Sequence, residues 1–211
     1  MFNDRAEAGR QLAGALERFR PLRPLVLALP RGGVVVGAEI ARALGCDLDV
    51  VLVKKLRAPG APELALGAVS EGGELYVNPE VVELTETDDA YLQSEVNERQ
   101  ADIAAQRKLY RTHKPQVPVA GRTAILVDDG LATGATVIAA VQATALARPQ
   151  RLVVAVPVSA PDALRAIQTM KQVDETVCLL TPAWFEGVGQ FYRDFSQIED
   201  EQVVRILREF A

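Results

Sequence analysis

Residues 125–140 read ILVDDGLATGATVIAA. An apolar run ends in two adjacent carboxylates, Asp128 and Asp129. The chain then passes through Gly130, Thr133, Gly134 and Thr136 into a second apolar stretch that begins at Val137. The run 123–127 has the length and composition of a buried strand, and the residues after Thr136 those of a helix. Free amides in the first turn of a helix, together with its dipole, favour an anion. Glycines let the backbone approach that anion, and threonine hydroxyls donate to phosphate oxygens. The loop is neither a GK[ST] phosphate loop nor a GxGxxG turn. The carboxylates need another partner, since a phosphate would repel them. Neutral hydroxyls or a metal suit them, and each charge-assisted bond from a ribose hydroxyl would contribute about 1.5–3 kcal/mol. A sugar with hydroxyls at one end and a phosphate at the other accounts for the whole stretch.

Outward from this loop, apolar strands at 25–29, 50–53, 152–158 and 176–180 alternate with helical patterns at 34–45, 135–147 and 161–171. Helices at 4–19 and 199–210 flank them. The alternation predicts an α/β fold, a mostly parallel central sheet with helices on both faces. Ligands in such sheets bind at the carboxyl ends of the strands, here after Leu29, Val53, Val127, Val158 and Leu180. Between the second and third strands, KKLRAPGAPE (54–63) reads as a basic loop. LGAVSEGGELYVN reads as a hairpin turning at Gly72 and Gly73. Residues 88–111 read as a long polar helix capped by Asp88.

The 211 residues and net charge of −5 fit one globular domain that is not built to coat nucleic acid. Cys46 and Cys178 lie far apart and read as buried free thiols of a reducing compartment, and His113 is the sole histidine, which argues against structural zinc. No apolar run reaches the ~18 residues of a membrane span, and the charged N-terminus lacks a secretory pattern. A soluble, cytoplasmic protein without a membrane partner is expected.

The strand, the acid pair and the T-G-x-T turn of residues 125–136 resemble the 5-phosphoribosyl pyrophosphate (PRPP) signature of type I phosphoribosyltransferases. LPRGG (29–33) is similar to that family's pyrophosphate loop, whose unusual peptide geometry exposes backbone amides; alone it would read as a plain turn. VLVKKLRAPGAPELALGAV (51–69) is similar to the adenine-type segment in which a strand ends in basic residues and enters a mobile loop, a solvated basic turn being the alternative. The resemblance covers about residues 24–195. It implies a core at about 22–70 and 120–180, a lid and insertion within about 54–118 that includes the hairpin, and a hood at about 181–198.

In site terms the resemblance implies that Asp128 and Asp129 hold the ribose hydroxyls. Gly130, Ala132, Thr133, Gly134, Ala135 and Thr136 would cup the 5′-phosphate. Arg31, Gly32, Gly33, Lys54, Lys55 and Arg57 would bind pyrophosphate, with Arg31 and Lys55 stabilising its departure. Mg²⁺ would ride on PRPP oxygens and water, near the aspartates. Ala132 stands where hypoxanthine- and guanine-type enzymes have an aspartate, and DDGLATGAT is closer to the adenine- and uracil-type loop. A proton partner must then come from elsewhere: Glu63 and Glu71 are candidates, plain surface glutamates the alternative. In the hood, Trp184 or Phe185 either stacks on an acceptor base or is a structural aromatic. The implied activity is transfer of the phosphoribosyl group to a nitrogenous, nucleobase-like acceptor with release of pyrophosphate. The alternative is a non-catalytic PRPP or nucleotide sensor. A homodimer is expected, and Leu92, Val96, Ile103 and Tyr110 would pack the long helix on the domain or across that dimer.

Overall fold

The computed structural model describes residues 1–211, apart from the side chains of Pro62 and Glu63. The chain begins with α1 (Arg5–Leu16), β1 (Leu25–Ala28), α2 (Gly32–Leu44) and β2 (Asp47–Val50). Three further strands follow, β3 (Val53–Ala58), β4 (Ala61–Ser70) and β5 (Leu75–Val77), then α3 (Pro79–Leu84) and α4 (Asp89–Arg111). The second half runs β6 (Thr123–Val127), α5 (Ala135–Leu146), β7 (Arg151–Val158), α6 (Pro161–Gln168), β8 (Glu175–Leu180) and α7 (Asp200–Glu209).

The central sheet has the order β2-β1-β6-β7-β8, and every pairing is parallel. Its inner strands are buried on both faces, which is why they read as continuous apolar runs rather than alternating ones. Successive side chains still point opposite ways. Val26, Ala28, Ile125, Val127, Val153 and Ala155 face a core completed by α1, α2 and α7. Leu25, Leu27, Ala124, Leu126, Leu152 and Val154 face α5 and α6.

The expected strand 50–53 is interrupted. β2 stops at Val50, and Val53 opens a second, antiparallel sheet of order β3-β4-β5. Residues 54–63, expected as a basic loop, are therefore mostly strand, folded back at Pro59-Gly60. Burial explains the misreading: Val53, Leu56 and Ala58 are buried, while the half-buried Lys54 and Lys55 and the exposed Arg57 dominate the composition. The hairpin is present as β4 and β5, with β3 added to it. Helix α4 starts at its Asp88 cap, whose carboxylate accepts from the Tyr91 amide, and buries Val96, Ile103 and Tyr110 within this chain. The short α3, capped by Asn78, carries no periodic signal in the sequence.

One charged knot joins the two sheets to α4. Arg111, at the end of α4, pairs with Asp49 on β2 and with Glu71 after β4, and its Nη2 donates to the carbonyl of Val50 at 3.2 Å. Asp49 is 1% exposed, and its Oδ2 also accepts from the Val117 amide at 2.8 Å. Removing one partner of a buried ionic group strands the others without solvent. Arg111→Met is expected to lower unfolding free energy by about 3–5 kcal/mol in urea titrations. A loss below about 1 kcal/mol would mean that water reaches these carboxylates.

Candidate functional site

Strand β6 delivers its acid pair to the carboxyl edge of the sheet, beside the end of β1, where Leu29 N donates to Val127 O at 2.9 Å. The loop that follows is pinned in its middle. Leu131 N donates to Val158 O and Ala160 N to Leu131 O, both at 2.9 Å, fixing the turn to the end of β7. Gly134 then adopts φ +74°, a left-handed conformation open to glycine at little cost, and caps α5. Ile138 N donates to Gly134 O at 2.8 Å. The amides of Thr136 and Val137, just before it in the first turn, have no intrahelical acceptor. Asp128, Gly130, Ala132, Thr133, Gly134, Ala135 and Thr136 share one cleft of about 420 Å³, closed on one side by Val188.

Adjacent carboxylates in a half-buried site cannot both be ionised cheaply. Burial, and then the charge of Asp129, push the Asp128 carboxyl well above its ordinary range. Asp128 Oδ1 accepts from the Asp129 amide at 2.9 Å. Asp129 is paired instead: Arg5 Nε donates to its Oδ2 at 2.7 Å. The backbone of Gly32 leaves no room for a side chain here, since a Cβ would fall 1.9 Å from that Oδ2.

A second cleft of about 580 Å³ adjoins the first through Thr136 and is lined by Leu29, Pro30, Val51, Val53, Lys54, Lys55 and Gln106. The Pro30–Arg31 peptide is cis, an unusual geometry for a bond that does not precede a proline. Arg31 is exposed at the start of α2, and Gly32 and Gly33 form that helix's first turn. Arg57 is exposed on β3 and lies outside the cleft lining, its amide donating to Glu95 Oε1 at 3.0 Å. Glu71, considered as a proton partner, is engaged by Arg111 away from both clefts, which removes it from that role. The side chain of Glu63 lies outside the described residues.

The hood is an aromatic cluster seated on the acid loop. Tyr192 Oη donates to Asp129 O at 2.6 Å, and burial raises its phenol well above the ordinary range. Tyr192 packs between Phe2 and Phe195, with ring centroids 5.3 and 5.0 Å apart. Phe185 packs on Phe191 at 5.4 Å, as a structural aromatic would, whereas Trp184 is 79% exposed. Sequence reasoning missed Arg5, Gln106 and Tyr192. Each sits in an otherwise ordinary polar or aromatic pattern, and Arg5 meets Asp129 across 124 positions of chain.

Comparison with known proteins decides the family. The phosphoribosyl transferase domain profile matches residues 6–196. The chain belongs to the phosphoribosyl transferase domain family. A Mycobacterium tuberculosis protein provisionally named a phosphoribosyl transferase is 42% identical over 215 aligned positions, covering 100% of this chain. This phosphoribosyl transferase domain spans about half, 48%, of that relative's length. The crystal structure of TT1426 from Thermus thermophilus is 45% identical, with a TM-score of 0.92 over 100% of this chain and 99% of that one. A Neisseria gonorrhoeae protein solved with bound ppGpp shares the fold at 10% identity and a TM-score of 0.52, over 99% of this chain and 94% of that one.

The environment of Asp128 gives the phosphoribosyl transferase domain a signature in pH. Its folded-state carboxyl holds a proton that the unfolded chain releases near the ordinary value of 3.8. The folded state therefore binds more protons above that value, and stability falls as pH rises through the folded titration. Asp128→Asn is expected to be more stable than the parent, by a margin that widens from about pH 4 upward. Denaturant titrations of both proteins from about pH 4 to about pH 8 measure it; a constant margin would show that Asp128 titrates normally.

Proposed function

We propose that this chain is a phosphoribosyltransferase that binds PRPP and passes its 5-phosphoribosyl group to a nitrogenous, nucleobase-like acceptor, releasing pyrophosphate. The observation that carries this reading is the junction of two clefts at Thr136. One has an amide-rich turn beside a carboxylate and suits a sugar phosphate; the other has two lysines and suits a diphosphate. In the transfer an acceptor nitrogen forms the bond to C1′ while the C1′–oxygen bond breaks, its electron pair leaving with pyrophosphate. Lys54 and Lys55, with Arg31 and the amides of Gly32 and Gly33, would meet that growing charge. The turn 130–136 would hold the 5′-phosphate, and the acid pair the sugar hydroxyls, fixing C1′ between the clefts. Glu63 is the proposed proton partner.

Mg²⁺ would enter with PRPP as part of the substrate complex. That ion takes substrate oxygens and water in preference to an all-protein cage. Arg5 already sets a positive charge on Asp129, which leaves that carboxylate less suited to hold an ion directly. A second reading, a PRPP or nucleotide sensor without catalysis, is favoured by one observation. Trp184 is too exposed to form a wall of a closed acceptor pocket in this arrangement.

Titration calorimetry of PRPP with and without Mg²⁺, followed by pyrophosphate release over a panel of purine and pyrimidine bases, separates the two. Mg²⁺-dependent binding with release in the presence of one base is expected. Binding without release from any base would establish the sensor, and no binding would sink both readings. Asp129→Asn is expected to weaken PRPP binding at least about tenfold, the loss of one charge-assisted hydrogen bond of about 1.5–3 kcal/mol. Arg31→Ala is expected to weaken PRPP and pyrophosphate more than a nucleoside monophosphate. Equal losses for all three would remove Arg31 from the diphosphate site.

A further inference from the structure

Arg5 lies just before the family match, which starts at residue 6, and belongs to none of the ligand-facing loops. It is nonetheless only 8% exposed. A buried guanidinium is costly unless its donors are paired and its faces covered. Here each contact goes to a different part of the site. Nε donates to Asp129 Oδ2 at 2.7 Å, and Nη1 donates to the carbonyl of Ser196, at the end of the hood, at 2.8 Å. The guanidinium carbon lies 3.8 Å from the centroid of Phe195. A Cβ at Gly32 would fall 3.0 Å from Nε, so the backbone of the pyrophosphate-type loop packs directly on this ion pair.

The residues before Arg5 are held to the same hood. Phe2 N donates to Phe191 O at 2.8 Å, while Arg193 N donates to Phe2 O and Asp194 N to Asn3 O, both at 2.9 Å. Asp4 caps α1 through the Glu7 amide at 2.7 Å. The guanidinium thus enters from a fixed direction, and its planar fork reaches Asp129 and Ser196 at once. One oxygen of Asp129 is occupied. The other, Oδ1, takes part in no hydrogen bond among the described residues, and Tyr192 holds the same residue's carbonyl at 2.6 Å.

We propose that Arg5 is a positioning residue for sugar recognition: it fixes one oxygen of Asp129 so that the other is presented to a ribose hydroxyl, and it makes that presentation depend on a seated hood. This rests on the PRPP reading above. A lysine would keep the charge but not the two-point grip, and an apolar side chain would keep neither.

The test uses the full chain, and titration calorimetry with ribose 5-phosphate, its 2-deoxy and 3-deoxy analogues, and inorganic phosphate. The parent protein is expected to bind ribose 5-phosphate at least about tenfold tighter than one of the deoxy analogues, the loss expected for one charge-assisted hydrogen bond. Arg5→Met is expected to shrink that preference below about threefold while leaving affinity for inorganic phosphate unchanged. Arg5→Lys should fall between them, and it decides the matter if Arg5→Met does not fold. A merely structural ion pair would lower melting temperature without touching the preference. Folded variants that keep the full preference overturn the proposal alone. A parent protein with no preference overturns the ribose reading, and this proposal with it.

Discussion

Strands β1 and β6 run side by side in parallel, Leu25 opposite Ala124 and Ala28 opposite Val127, so the segments that follow them leave the sheet at one edge. That register sets the geometry of everything at the site. The turn after β1 and the turn after β6 are far apart in sequence, yet Gly33 lies against the carbonyl of Val127 and Gly32 against the carboxylate of Asp129. Both turns open helices, so two sets of unpaired amides converge on neighbouring clefts. A slip of one residue between these strands would turn the acid pair toward the other face and part it from the first loop. Apolar strands on both faces resist such a slip, because it would exchange the side chains packed in the two cores.

Convergence brings a charge problem with it, and the structure resolves the problem unequally. Asp128 lines the cleft and is pushed toward its neutral form, whereas Asp129 turns aside to a buried arginine. Two chemically identical neighbours thereby sit in different environments, the arrangement that moves paired carboxyls apart. The net negative charge facing the cleft is then less than two adjacent aspartates suggest. Apart from the central sheet's register, the Arg5–Asp129 pair is the contact through which most of the site communicates. It touches the acid loop, the turn before α2, the N-terminal segment and the hood.

The central sheet, its helices and the loop 128–136 were legible in the sequence because each rests on local pattern. A fully buried parallel strand is a short apolar run, and Gly134 and the hydroxyls around it announce a helix-opening turn. The small sheet was not legible for an equally physical reason. On β3 Lys54 and Lys55 are half-buried, Arg57 is exposed and the strand runs into the turn at Pro59-Gly60, so composition signals a loop while burial of Leu56 and Ala58 makes a strand. Glu71 looked like an exposed acid in a turn; its partner Arg111 comes from 40 residues away. Arg5 lies on the buried face of α1 with Ala8, Gly9 and Leu12, although its charge reads as that of an exposed helix start, and Gln106 sits among the polar residues of α4. Only tertiary placement tells them apart, and no periodicity encodes it.

The hood joins the acid loop through contacts that are separate from its own exposed tip. Its grip on the acid loop uses the hydroxyl of Tyr192 on a backbone carbonyl, and a second carbonyl, that of Ser196, on Arg5. Neither contact depends on the identity of residues 182–187, which bulge outward with Trp184 in solvent and Phe185 folded back on Phe191. Changes there would alter the surface at this edge of the sheet without disturbing the acid pair or the turn that follows it. Those residues also lie at the end of β8, on the same carboxyl edge as the clefts, where a parallel sheet gathers its ligands. The motifs that identify the family thus lie in loops held by fixed contacts, apart from the exposed tip of the hood.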